Sequence, residues 1–87
     1  MKEILKKAND ALEKWVESRD QNSLDFFDGL TILSHQDGSY FVFQNSNAKR
    51  IDVDGVDILM VATEHCGYFT FFLADVQRWS CCLQTHR

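Results

Sequence analysis

Apolar residues recur along the first stretch of the chain with helical spacing. Ile4, Leu5, Ala8, Ala11, Leu12, Trp15 and Val16 fall at i, i+1, i+4, i+7, i+8, i+11 and i+12. This is one stripe of an amphipathic helix running from about Lys2 to Arg19. Glu3 with Lys7 and Asp10 with Lys14 are i,i+4 pairs in the favourable order on its wet side. A polar connection from Asp20 to Asp28 follows, with Leu24, Phe26 and Phe27 expected to tuck beneath it.

Beyond Asp28 the pattern changes to the two-residue period of strands. Leu30 to His35 and Tyr40 to Gln44 read as strands joined at Asp37-Gly38, a type I′ hairpin signal. Asn45 to Ala48 reads as a loop. Lys49 to Val53 and Val56 to Thr63 repeat the hairpin signal around Asp54-Gly55. Glu64 to Gly67 turns the chain into a fifth strand, Tyr68 to Leu73. Asp75 reads as the N-cap of a short helix through Val76, Trp79, Cys82 and Leu83. The predicted fold is therefore α+β: an N-terminal amphipathic helix, a five-stranded antiparallel meander sheet and a short C-terminal helix. Residues 1–87 are expected to form a single domain.

Turn geometry fixes which strand residues oppose one another, so the two faces of this sheet can be assigned in advance. One face collects Leu30, Ile32, Phe41, Phe43, Ile51, Val53, Val56, Ile58, Met60, Ala62, Phe69, Phe71 and Leu73, and is expected to lie under the helix. The other is mixed, with Leu59, Tyr68 and Phe72 among Asp52, Asp57, Thr63 and Thr70. With both helices on the first face, the second is predicted to display an aromatic patch with a polar edge. Such a makeup suits protein binding. Burial of that face by the C-terminal segment is the competing expectation.

Charge sharpens this reading. The chain carries a net charge of -4, and residues 51–77 hold Asp52, Asp54, Asp57, Glu64 and Asp75 with no Lys or Arg. An acidic surface repels phosphate backbones and steers basic partners. Tyr40, Tyr68 and Phe72 would suit base stacking, but the negative surroundings argue against direct nucleic-acid contact. No stretch approaches the apolar length of a membrane span, and the N-terminus does not resemble a signal peptide. Three cysteines, two of them adjacent, make a poor disulfide framework and suggest reduced thiols in the cytoplasm.

Three constellations could carry chemistry. His65, Cys66, Cys81, Cys82 and His86 offer enough soft ligands for zinc, but adjacent Cys81 and Cys82 lack the usual knuckle gap. Cys66 beside His65 could form a thiolate–base pair, although a small sheet offers little cleft to exclude water. Asp52, Asp54 and Asp57 echo the start of a calcium loop, yet its twelfth position falls on Thr63 instead of Glu. No metal or other cofactor is therefore expected.

In size, acidity and lack of motifs the chain resembles the small inhibitors encoded by phages and mobile elements, including anti-CRISPR proteins. That resemblance implies a non-enzymatic binder occluding a basic surface of a nucleic-acid-processing complex. Asp52, Asp57 and Glu64 would steer, while Tyr40, Leu59, Tyr68 and Phe72 would anchor. A homodimer burying the same face is the second expectation, and a zinc- or thiol-dependent protein the third.

Overall fold

The computed structural model describes residues 2–19 and 26–83. Helix α1 (Lys2–Glu17) buries Ala8, Leu12 and Val16, with Ile4, Ala11 and Trp15 flanking them. It ends two residues before the predicted limit because side chains take over its last carbonyls. Ser18 Oγ donates to the Trp15 carbonyl at 2.9 Å and Arg19 Nη1 to that of Val16 at 2.7 Å. The Arg19 guanidinium lies over the Phe26 and Phe27 rings, and Phe26 packs on Trp15 at 5.1 Å. Both phenylalanines are thus tucked against the helix as expected, while Leu24 lies outside the described residues.

Five antiparallel strands follow: β1 (Gly29–His35), β2 (Tyr40–Val53), β3 (Val56–Thr63), β4 (Tyr68–Phe72) and β5 (Val76–Leu83). Their spatial order is β4-β3-β2-β1-β5. The fold is α+β, but the sheet is not a simple meander and there is no C-terminal helix among the described residues. Asp75 instead closes a 3-10 turn (Leu73–Asp75), after which the chain returns as β5 alongside β1. Val76 and Trp79 share the inner face at helical spacing because a bulge interrupts the strand alternation, whereas Cys82 and Leu83 are exposed. Arg78 pairs with Ser34 but Val76 with His35, which leaves Gln77 as the extra residue.

The predicted loop at Asn45 is also absent. β2 runs unbroken for 14 residues, with Asn45 in the left-handed region at φ 50°. Gln44 and Asn45 together oppose Leu30, since Gly29 pairs with Ser46 and Thr31 with Phe43. This bulge redirects β2, so its first half pairs with β1 and its second half with β3.

Of the three hairpins, only one has the expected register. At Asp54-Gly55 both residues have positive φ (52° and 85°), a type I′ turn with Val53 opposite Val56 and Ile51 opposite Ile58. The other two are three-residue loops. His35 N donates to Ser39 O at 2.9 Å around Gly38 (φ 94°), and Thr63 N to Gly67 O at 3.1 Å, where Gly67 has φ 99°. Each of those registers is one residue away from the expected one. Phe41, Phe43, Phe69 and Phe71 therefore leave the helix face, and Phe72 joins it.

The sheet then curls around its second face. In a flat sheet β1 and β4 would stand about 14 Å apart, three strand spacings. Yet the ring centroids of His35 and Phe71 are 5.6 Å apart, and those of Phe41 and Phe71 5.9 Å. Two cores result. Val53, Ile58, Met60 and Ala62 pack under α1, while Leu33, Leu59, Val61 and Val76 fill the concavity with Phe43, Phe69, Phe71 and Trp79.

Among the described residues, the β1–β2 turn carries the one clear electrostatic perturbation. Asp37 Oδ1 accepts from the Ser39 backbone N–H at 2.9 Å and from its hydroxyl at 2.7 Å. These bonds, assisted by His35, hold the Asp37 carboxyl below the usual aspartate range. A carboxyl depressed in the folded state stabilises above its unfolded value, and the contribution is lost as pH falls through the folded one. Asp37→Ala should therefore lower Tm at neutral pH, with the gap to wild type narrowing below about pH 4. A gap constant across thermal melts from neutral to acid pH would exclude a charge-assisted turn.

Candidate functional site

The predicted anchors do not share a surface. Leu59 is 0% exposed and belongs to the inner core. Phe72 is half-buried on the opposite side of the sheet, against the helix core. Tyr68 lies on that same side, 48% exposed, and Tyr40 is 65% exposed beside Ser34, at the far end of β2 from the acidic hairpin. The continuous patch expected from the sequence is therefore absent. Its face is roofed by the sheet's own curvature, not by a C-terminal helix.

The predicted steering acids are all exposed, and each has a local role. Asp52 and Asp57 do oppose each other across β2 and β3. Asp52 Oδ1 accepts the Gly55 N–H at 2.9 Å, closing the turn. Asp57 Oδ2 accepts Arg50 Nη2 at 3.0 Å, and Asp54 Oδ2 accepts Lys7 Nζ at 2.7 Å. Such exposed pairs contribute little to stability and leave the carboxylates accessible. Glu64 stands 3.4 Å from His65 Nε2 in the β3–β4 loop.

The cysteines do not converge. Cys81 and Cys82 are successive residues of β5, so their side chains leave opposite faces. Cys81 accepts from Thr31 Oγ1 at 3.3 Å in the interior, whereas Cys82 is exposed. Cys66 is exposed in the β3–β4 loop, its N–H donating to Thr63 Oγ1 at 2.9 Å. His86 lies outside the described residues. Among the described residues, no three of His, Cys, Asp and Glu are placed to hold one ion.

Of the open grooves among the described residues, two bear on these side chains. One, of about 400 Å³, is lined by Val42 to Asn45, Thr63, His65 and Cys66. The other, of about 560 Å³, lies between the β2–β3 turn and the 3-10 turn. Gly55, Val56, Phe72, Leu73 and Ala74 make most of its lining apolar, and Asp57 and Asp75 are its two acidic lining residues. Both elements are held in place. Asp52 closes the β2–β3 turn, and the Asp75 carbonyl accepts the Gln36 N–H at 2.9 Å. Two predicted site residues, Asp57 and Phe72, therefore meet here after all. Asp75, read from the sequence as a helix N-cap, lines the same groove from the 3-10 turn.

No protein-family model, curated protein or solved structure matches this chain.

Proposed function

We propose that this chain is a small non-enzymatic module that binds a basic segment of a protein partner in the groove beneath Asp57 and Asp75. One observation carries the reading: a mostly apolar lining with two acidic residues, Asp57 and Asp75, and no cation in the lining itself, Arg50 reaching the Asp57 carboxylate from outside it. Arg and Lys side chains match that composition, laying an aliphatic stem on apolar surface while the charged head reaches carboxylates. The groove's volume lies within the usual range for a specific site. The net charge of -4 adds long-range attraction for basic surfaces. The resemblance in profile to small phage-encoded inhibitors extends the proposal to occlusion of a nucleic-acid-processing complex in the cytoplasm. No described helix is long and apolar enough to cross a membrane, and all three cysteines are free thiols.

The test is an NMR titration with a short arginine-rich peptide. Saturable shifts are expected at the amides of Gly55, Val56, Leu73 and Ala74. Asp57→Asn with Asp75→Asn should weaken binding about tenfold, the loss of roughly 1.4 kcal/mol of charge-assisted contact. Shifts spread over every acidic residue, or undiminished affinity of the double variant, would reduce the groove to ordinary surface.

A further inference from the structure

We infer that this chain pairs with a second copy of itself through the edge of β5 that no described strand pairs, extending the sheet antiparallel across a two-fold axis at Ser80. The inference stands apart from the groove and needs none of its residues.

The two edges of the sheet are not alike. β4 is five residues long and leads directly into the 3-10 turn. β5 is eight residues long, and after the bulge at Gln77 it runs regularly from Arg78 to Leu83. Folded proteins protect such an edge with Lys, Pro, acids or a cover, because its unpaired N–H and C=O groups invite another strand. From Val76 to Leu83 there is neither Pro, Lys nor acid, and Arg78 is the one charge. Leu83 at its end is 72% exposed.

Symmetry then restricts the pairing. Directly opposed residues of antiparallel strands point to the same face, and faces alternate along a strand. A two-fold axis must therefore pass through a residue opposed to itself. Centring the regular stretch leaves Ser80 or Cys81. With Ser80 on the axis, Trp79 faces the partner's Cys81 on the concave side, a large side chain against a small one. On the outer side Arg78 faces the partner's Cys82, which is exposed. The two Arg78 charges then lie four residues apart along the strands, about 13 Å and beyond the screening length at physiological salt. With Cys81 on the axis, Trp79 would meet the partner's Leu83, two large side chains, and Cys81 would meet its own copy. Side-chain size favours Ser80. Because strand pairing buries less than a standard interface, the dimer is expected to be weak and concentration-dependent.

Sedimentation equilibrium of the reduced full chain over the micromolar range should show a monomer–dimer equilibrium. Ser80→Lys sets two lysines directly opposite each other and should raise the dissociation constant at least about tenfold, with an unchanged circular dichroism spectrum. Ser80→Cys, in a chain with Cys66, Cys81 and Cys82 replaced by Ala, should form a disulfide-linked dimer on mild oxidation. A wild-type chain that stays monomeric up to high micromolar concentration would overturn the proposal. So would a dimer that Ser80→Lys leaves intact and Ser80→Cys does not cross-link. Neither outcome bears on peptide binding in the groove, which the Asp57 and Asp75 variants read separately.

Discussion

Leu59→Ala is expected to lower the unfolding free energy by about 2–5 kcal/mol, the cost of emptying a leucine-sized volume in a closed core. Leu59 is completely buried, and its neighbours in the concavity come from several strands: Leu33, Val61, Val76, Phe43 and Phe71. Side chains held by so many strands cannot collapse freely into a new void, which places the effect away from the low end. A small domain has about 5–15 kcal/mol in total, so the variant would lose a large share of its stability. Tyr68→Ala is the control, since Tyr68 is nearly half exposed at an edge strand and its loss should cost no more than about 1 kcal/mol. Urea titrations with matching m-values measure both. Equal small losses would mean that the concavity is open to water and that Leu59 is available to a partner.

The contrast between these two residues also shows where the sequence is legible. Helix α1 and the β2–β3 hairpin follow from periodicity and from Asp54-Gly55, and their core residues Leu12, Val16, Val53, Ile58, Met60 and Ala62 pack together as expected. Gly38 and Gly67 mark turns just as plainly, but a glycine with positive φ serves a two-residue turn and a three-residue loop equally well. The difference is one residue of register, and one residue reverses every face beyond it. The expected register puts Leu59 on one face with Tyr68 and Phe72, and the fold turns Leu59 to the opposite face from both. The curl of the sheet has no local signal at all. It arises from the Asn45 bulge and from the contact of His35 with Phe71, residues 36 positions apart in the chain. The groove is partly legible for the same reason: Asp57 lies on the hairpin whose register was right, whereas Asp75 depends on a connection whose end was read as helix.

Gly29 is where the structure should be least tolerant of added volume. A Cβ at this position would lie 2.7 Å from the Ser46 carbonyl oxygen and 2.9 Å from Cys81 Sγ. Gly29→Ala is therefore expected to cost about 1–3 kcal/mol, through overpacking and not through backbone conformation. The two obstacles differ in kind. The thiol can be removed, but the carbonyl is backbone in a paired strand, and its residue anchors a buried polar knot. Ser46 Oγ lies 2.8 Å from Thr31 Oγ1, and its one proton has the carbonyl oxygens of Phe43 at 2.9 Å and Gly29 at 3.3 Å as acceptors. Moving Ser46 to admit a methyl group would stretch bonds that no water can replace, since Thr31 and Ser46 are fully buried. Adding Cys81→Ala to Gly29→Ala should thus recover part of the loss and not all of it, with a coupling energy of about 0.5–1.5 kcal/mol in the double-mutant cycle. Complete recovery would assign the strain to the thiol alone and leave the Ser46 carbonyl free to yield. No recovery would make the backbone oxygen the whole obstacle, and the knot around Ser46 would then be what fixes the spacing of β1 against β2.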